Sequence, residues 1–214
     1  MAKVFIFDLD GTLIDSLDGI EHSFNLAVSE VLSSASRVDI RKYIGPPIRD
    51  ICRQVHPEAS EADLDSIESK FRLSYDSEGW LKTHLFPGVT ETLNLIRASG
   101  RPLHILTNKP YVPTRLILAK FGLLDFFESI VTRETSLPPF ESKAAAAEHM
   151  KNSIGVPPSD VVLIGDSVDD AVAAKACGFR FAAAAYGFGQ VCVRCPSSVD
   201  YVLDEFSSAA LLIQ

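Results

Sequence analysis

Long apolar runs, basic excess and cysteine are all scarce in this 214-residue sequence, and each shortage excludes something. No apolar stretch approaches the roughly 20 residues that a membrane-spanning helix needs, so no membrane partner is expected. The opening Met1-Ala2-Lys3 runs into Val4-Phe5-Ile6-Phe7, too short for the apolar region of a secretory signal and followed at once by acids. The default location is therefore cytoplasmic. Lys and Arg number 20 against 28 Asp and Glu, a formal net charge of -8. Such a balance lacks the basic face that a nucleic-acid backbone attracts. It leaves an anionic small substrate open, because a metal ion and one or two cations can set the sign of a pocket. The four cysteines are Cys52, Cys177, Cys192 and Cys195. Cys192 and Cys195 form one C-x-x-C with no second pair at metal spacing, and it does not open a helix after a strand. They read as incidental reduced thiols. Internal repeats are absent, and the only low-complexity tracts are short alanine runs.

What is present is ordinary for a soluble globular chain: 47% hydrophobic and 22% charged residues. The length suits one large domain, or a core with a smaller insertion. Residues 3–7 are a short Val/Ile/Phe run that reads as a buried strand delivering Asp8-Leu9-Asp10-Gly11-Thr12 at its end. Residues 15–85 differ in texture, being rich in Ser, Asp, Glu and Leu. Phe24, Ala27, Val28 and Val31 have helical spacing, as do, approximately, Leu64, Ile67, Phe71 and Leu73. Ile44-Gly45-Pro46-Pro47 interrupts the segment as a loop, with a helix from Ile48 onward. This stretch is expected to be an all-helical insertion.

Beyond Pro87-Gly88 the pattern alternates. Helices are expected over 89–98, 112–121, 143–154, 168–177 and 206–213, the first four each followed closely by a stopping glycine. Strands are expected over 103–106, 129–131, 161–164, 181–184 and 199–202. Alternation at this spacing predicts an α/β fold, a Rossmann-like parallel sheet flanked by helices. The expected organisation is a core of residues 1–14 and 86–214 with a helical cap of residues 15–85. His104, inside an apolar strand, reads as a satisfied core histidine, and the single Trp80 reads as packing.

Three expected strands end in polar clusters: Asp8/Asp10, Thr107/Asn108 and Asp166/Asp170. Ligand sites of open parallel sheets lie beyond the carboxyl ends of the strands, so these clusters should share one crevice. Carboxylates crowded together raise one another's pKa unless a cation sits among them. Oxygen ligands of this kind suit Mg²⁺. Thr107 and the ammonium of Lys143 would hold phosphoryl oxygens. Lys42 and Arg49 flank the Gly45-Pro46-Pro47 loop, and Arg49 is a candidate for a substrate carboxylate.

These residues resemble the motifs of the haloacid dehalogenase superfamily. Asp8-Leu9-Asp10-Gly11-Thr12-Leu13 is similar to its first motif in the phosphotransferase form. Thr107 resembles the second motif, Lys143 the third, and Gly165-Asp166-Ser167-Val168-Asp169-Asp170 the fourth. Ile44-Gly45-Pro46-Pro47, Thr107-Asn108-Lys109-Pro110 and Ala185-Tyr186-Gly187-Phe188-Gly189 resemble the phosphoglycolate phosphatase-like branch. The resemblance implies that Asp8 is the nucleophile and Asp10 the acid/base. It implies Mg²⁺ bound by the Asp8 side chain, the Asp10 backbone carbonyl and Asp166. Asp170 would position Lys143 or a metal-bound water. Thr107, Asn108 and Lys143 would hold phosphate, and the helical insertion would be a mobile cap. Lys143 lacks the K-P-x-P string of many relatives, and Lys109 is a competing cation. The implied activity is Mg²⁺-dependent hydrolysis of a small phosphorylated metabolite, with 2-phosphoglycolate the leading candidate, by a monomer or homodimer. A sugar phosphomutase of the β-phosphoglucomutase type and a non-catalytic binding module are the alternatives.

Overall fold

The computed structural model describes residues 2–32, 35–189, 191–194 and 196–213. Cys195, and with it the C-x-x-C reading, lies outside the described residues, while Cys52 and Cys177 are buried free thiols. No helix among the described residues is long and apolar enough to cross a membrane.

The sheet begins with β1 (Val4–Phe7), completely enclosed along its length. Its alternating side chains serve two cores. Phe5 and Phe7 point into one layer, with Leu93, Ile105 and Phe206. Val4 and Ile6 point into the other, with Ala147, Leu163 and Ala174. Only a strand covered by helices on both faces can be apolar at every position. β2 (Ile14–Asp15) follows, then the helices α1 (Leu17–Val31), α2 (Ile48–Val55) and α3 (Glu61–Ser77), and β3 (His84–Leu85). The chain then alternates through α4 (Val89–Ala98), β4 (Leu103–Thr107), α5 (Tyr111–Lys120), β5 (Ser129–Thr132), α6 (Lys143–Ser153), β6 (Val161–Gly165), α7 (Val168–Cys177), β7 (Arg180–Ala184) and β8 (Tyr201–Leu203). Six strands form one sheet in the order β5-β4-β1-β6-β7-β8. Every pairing in it is parallel. The strand order reverses on either side of β1, which opens a crevice beyond its carboxyl end.

The helices α1 and α3 enclose a separate apolar cluster. Phe24, Ala27 and Val28 meet Leu64, Ile67, Phe71 and Tyr75 there, with Ile51 and Cys52 from α2. The expected stripe on α3 needs one correction. Leu73 is 72% exposed, and the buried continuation of Leu64, Ile67 and Phe71 is Tyr75, four residues after Phe71. The segments that enter and leave this helical run meet as a two-residue antiparallel ladder, Ile14 opposite Leu85 and Asp15 opposite His84. The closing helix expected over 206–213 is present, and Phe206–Ile213 winds as a 3₁₀ helix. It still packs Phe206 against Phe7, ring centroids 5.8 Å apart. His104 is buried with Nδ1 2.9 Å from the Ser129 hydroxyl, and burial lowers its pKa.

Candidate active site

The site starts where β1 stops. The Asp8 N–H still bonds the Ile164 carbonyl at 2.9 Å, so the backbone is held by β6 as its side chain leaves the sheet. The chain then doubles back. The Leu9 carbonyl accepts from Leu13 at 2.9 Å, and Gly11 donates to the Ile14 carbonyl at 2.9 Å. Gly11 has φ 80°, and a Cβ there would collide with the Asp166 carboxylate. Only glycine fits this turn on both counts.

Asp8 is 4% exposed. Lys143, the first residue of α6, reaches it, Nζ to Oδ1 at 2.6 Å, and reaches Asp170 Oδ1 at 2.6 Å as well. A cation at a helix N-terminus opposes the helix dipole, so the two carboxylates offset both that and its burial. Burial tends to lower the Lys143 pKa, but Asp170 and Asp8 outweigh it and hold the ammonium charged. Asp170 is itself fixed from α7. Ser167 caps that helix, accepting the Asp170 N–H and donating its hydroxyl to Asp170 Oδ2 at 2.6 Å.

Asp166, just past β6, completes the cluster. Its Oδ2 accepts the backbone N–H groups of Phe188 at 2.6 Å and Gly189 at 2.8 Å. Its Oδ1 is buried and has no hydrogen-bond partner. A Cβ on Gly187 would strike Asp166 and the Gly11 carbonyl, so that loop lies against the carboxylate only because it is glycine. One carboxylate oxygen from each of Asp8, Asp166 and Asp170 lies within 4.8 Å of the others. Burial pushes the Asp8 carboxyl up to about 7, with Lys143 opposing and Asp170 and Asp10 adding to the rise. Burial likewise raises Asp166 well above the usual carboxylate range, helped by Asp8 and Asp170. Three enclosed carboxylates against one ammonium, with one oxygen unpartnered, fit a hard divalent cation.

Asp10 faces the helical run. Lys109 Nζ lies 2.9 Å from Oδ1 and 3.2 Å from Oδ2, and Ser16 donates a short hydrogen bond to Oδ1. The same ammonium donates to the hydroxyl of Tyr75 on α3 at 2.7 Å. Burial lowers the Lys109 pKa, but Asp10 and Tyr75 overcome it and raise it. Thr107 is buried at the end of β4, and its Oγ1 accepts the Lys109 N–H at 3.2 Å. Asn108 Nδ2 donates to the Gly45 carbonyl and to Asp169 Oδ2, each at 2.9 Å. Asn108 and Tyr75 thus tie the helical run to the sheet.

Between them lies a cavity of about 100 Å³. Asp8, Asp10, Thr107, Asn108 and Lys109 form its floor, and Ile44 to Ile48, Ile51, Phe71, Arg72 and Tyr75 its roof. The structure therefore brings Asp8, Asp10, Thr107, Asn108, Lys143, Asp166 and Asp170 together. It does not bring Arg49. That guanidinium pairs with Asp65 at 2.5 Å and Glu61 at 2.6 Å, across to α3, and it is not among the residues lining the cavity. Arg72, on the wall, was not singled out from the sequence; its nearest carboxylate is Glu134 at 3.6 Å. Tyr75 has no separate signal in the sequence, because the apolar stripe of α3 reads as readily through Leu73 as through Tyr75.

Known proteins share this arrangement of chain. A family model described as haloacid dehalogenase-like hydrolase matches residues 5–184. A phosphoglycolate phosphatase of Nitrosospira multiformis is 31% identical over 194 residues, covering 88% of this chain and 85% of its own. One from Haemophilus influenzae is 28% identical over 220 residues, covering 99% of this chain and 98% of its own. The crystal structure of a predicted phosphoglycolate phosphatase from Haemophilus somnus superposes with TM-score 0.85 at 27% identity, covering 100% of this chain and 98% of that one.

Proposed function

The chain belongs to the haloacid dehalogenase-like hydrolases and is a phosphatase of that family, and from this premise we propose that it hydrolyses a small phosphomonoester, 2-phosphoglycolate foremost, with Mg²⁺ and through a phosphorylated Asp8. The observation that carries the reading is the enclosed cluster of Asp8, Asp166, Asp170 and Lys143 at the floor of a small cavity.

In this reading an Asp8 oxygen attacks phosphorus and the ester oxygen leaves. Asp10, two residues along, supplies that oxygen's proton and then takes one from the water that cleaves the aspartyl-phosphate. Lys143 and the Thr107 hydroxyl hold phosphoryl oxygens as charge develops. Asp8, Asp166 and the Asp10 carbonyl would hold Mg²⁺, and Asp170 would orient Lys143 or a water beside the ion. The ion supplies charge that lets a carboxylate approach an anionic phosphoryl group. The segment 15–85 acts as the cap, excluding bulk water from the first step.

Size supports the substrate class. At about 100 Å³ the cavity is small beside the roughly 300–1,000 Å³ of ordinary ligand pockets, which favours a small ester over a bulky one. Relatives named phosphoglycolate phosphatase support the two-carbon acid. The test is phosphate release over a panel of phosphometabolites with Mg²⁺. Turnover is expected to favour two- and three-carbon esters and to vanish in Asp8→Asn. Full activity in Asp8→Asn, or a flat panel, would sink the proposal.

A further inference from the structure

Two lysines reach the catalytic carboxylates, and they do different things. Lys143 lies between Asp8 and Asp170. Lys109 makes no such bridge. Its ammonium holds both oxygens of Asp10 and the hydroxyl of Tyr75, with the Tyr75 ring centroid 4.5 Å away. Lys109 and Tyr75 are both buried. From this geometry we infer that Lys109 is the positioning residue for the second half of the reaction: it fixes Asp10 as the base that activates water, and Tyr75 holds Lys109 in place only while the helical segment is seated.

The argument is one of direction and chemistry. A carboxylate gripped on both oxygens by an ammonium, and on one by the Ser16 hydroxyl, is fixed in rotation about its Cβ–Cγ bond. Once Asp10 has given its proton to the leaving oxygen, a carboxylate held in this way is oriented to accept one. That is the form needed when water attacks the phosphorylated Asp8. The water oxygen bonds phosphorus, the bond from phosphorus to the Asp8 oxygen breaks and its electrons return to that carboxylate, and the water proton passes to Asp10. Among the described residues the Lys109 ammonium bonds Asp10 and Tyr75 and not Asp8, and only its backbone N–H reaches a group that would hold a phosphoryl oxygen, Thr107 Oγ1.

Tyr75 gives the arrangement its second property. It stands on α3, and Asp10 and Lys109 stand on segments at the ends of β1 and β4. The Tyr75 hydroxyl is the one side-chain hydrogen bond by which α3 reaches Lys109 among the described residues. If the helical segment lifts to admit substrate, Lys109 loses this partner and its grip on Asp10 loosens. The base is then assembled only after closure, when bulk water is already excluded.

The inference rests on the phosphatase reading, and the experiment separates their failures. The probe is p-nitrophenyl phosphate with Mg²⁺, whose leaving group needs no proton, so kcat/KM reports attack by Asp8 alone while kcat includes hydrolysis of the phosphorylated enzyme. In Lys109→Met, kcat is expected to fall at least about 10-fold, within the span that general acid–base catalysis contributes. kcat/KM should change less than about 3-fold, so KM falls with kcat. Stopped flow should show a burst of nitrophenolate nearing one per active site, and hydroxylamine should trap the phosphorylated enzyme. Lys109→Arg, which can still pair with both oxygens, should abolish the burst and restore kcat. Tyr75→Phe, which removes one hydroxyl, should give a smaller burst of the same kind, and it serves even if Lys109→Met folds poorly. A parallel fall of kcat and kcat/KM without a burst in both Lys109→Met and Tyr75→Phe overturns the assignment. Retained turnover in Asp8→Asn would instead overturn the phosphatase mechanism on which it stands.

Discussion

One oxygen of Asp166 accepts two backbone N–H groups and the other accepts nothing. That asymmetry makes a prediction specific to this residue. Asn in its place can keep an oxygen on the Phe188 and Gly189 amides while removing a charge from a crowded cluster. Asp166→Asn should therefore leave the metal-free protein at least as stable as the parent, because less like charge is buried. The Mg²⁺ concentration for half-maximal activity should rise at least about 10-fold, since even groups that only orient a metal's ligands are worth roughly 10- to 100-fold in affinity. Mg²⁺ titrations of activity, beside melting curves in chelator, check both halves; an unchanged Mg²⁺ requirement sinks the metal role of Asp166. At this scale Asp8, Asp10, Thr107, Asn108, Asp166 and Asp170 were legible, since each follows an apolar strand whose end can be read from composition. Lys143 follows no strand end, so its place rested on the site's need for an ammonium and on resemblance. Tyr75 was not legible, because its contact with Lys109 joins residues 34 apart in sequence across two packed layers. The pairing of Arg49 with Glu61 and Asp65 depends on how α2 lies against α3, and no local pattern encodes that choice.

Elements differ in what they reveal. The helices beside the sheet were readable nearly to the residue, because stopping glycines and strand runs bracket them. The ladder of β2 and β3 was invisible, since two residues carry no alternation to read. The 3₁₀ winding of Phe206–Ile213 was equally hidden, since Phe206 and Ala209, three residues apart, are the buried pair and suit either winding. Two helices share a capping box with different consequences. Ser60 caps α3 on the exposed surface, whereas Ser167 caps α7 beside Asp170. Either serine changed to alanine should cost about 1 kcal/mol, a fall in Tm of roughly 2–4 °C for a chain of this size. Only Ser167→Ala should also lower kcat, because the freed Asp170 carboxylate loses its hold opposite Lys143. Equal kcat in the two variants would show that the cap at Ser167 matters to the fold and not to the chemistry.

At the scale of the whole molecule, the site opposes the fold until a cation arrives. Asp8 is pushed up to about 7 mainly by burial, and burial raises Asp166 well above its ordinary value. In the unfolded chain both groups return to about 3.9. The folded, metal-free protein thus binds protons more tightly than the unfolded chain across the window between about 4 and 7. Stability follows the difference in bound protons, so this contribution is present at acidic pH and is lost as pH rises through that window. A divalent cation acts in the opposite sense. It binds the deprotonated carboxylates of the folded state and stabilises it by mass action, most strongly where protons no longer compete. The gain in Tm on adding saturating Mg²⁺ to chelator-treated protein should therefore be larger at pH 7.5 than at pH 5, with Asp8→Asn reducing the difference. Melting curves at the two pH values, with and without Mg²⁺, measure it directly. Equal gains at both would mean that the carboxylates are already ionised without the metal, and no gain at either would mean that the acidic cluster is a feature of the fold that owes nothing to a bound ion.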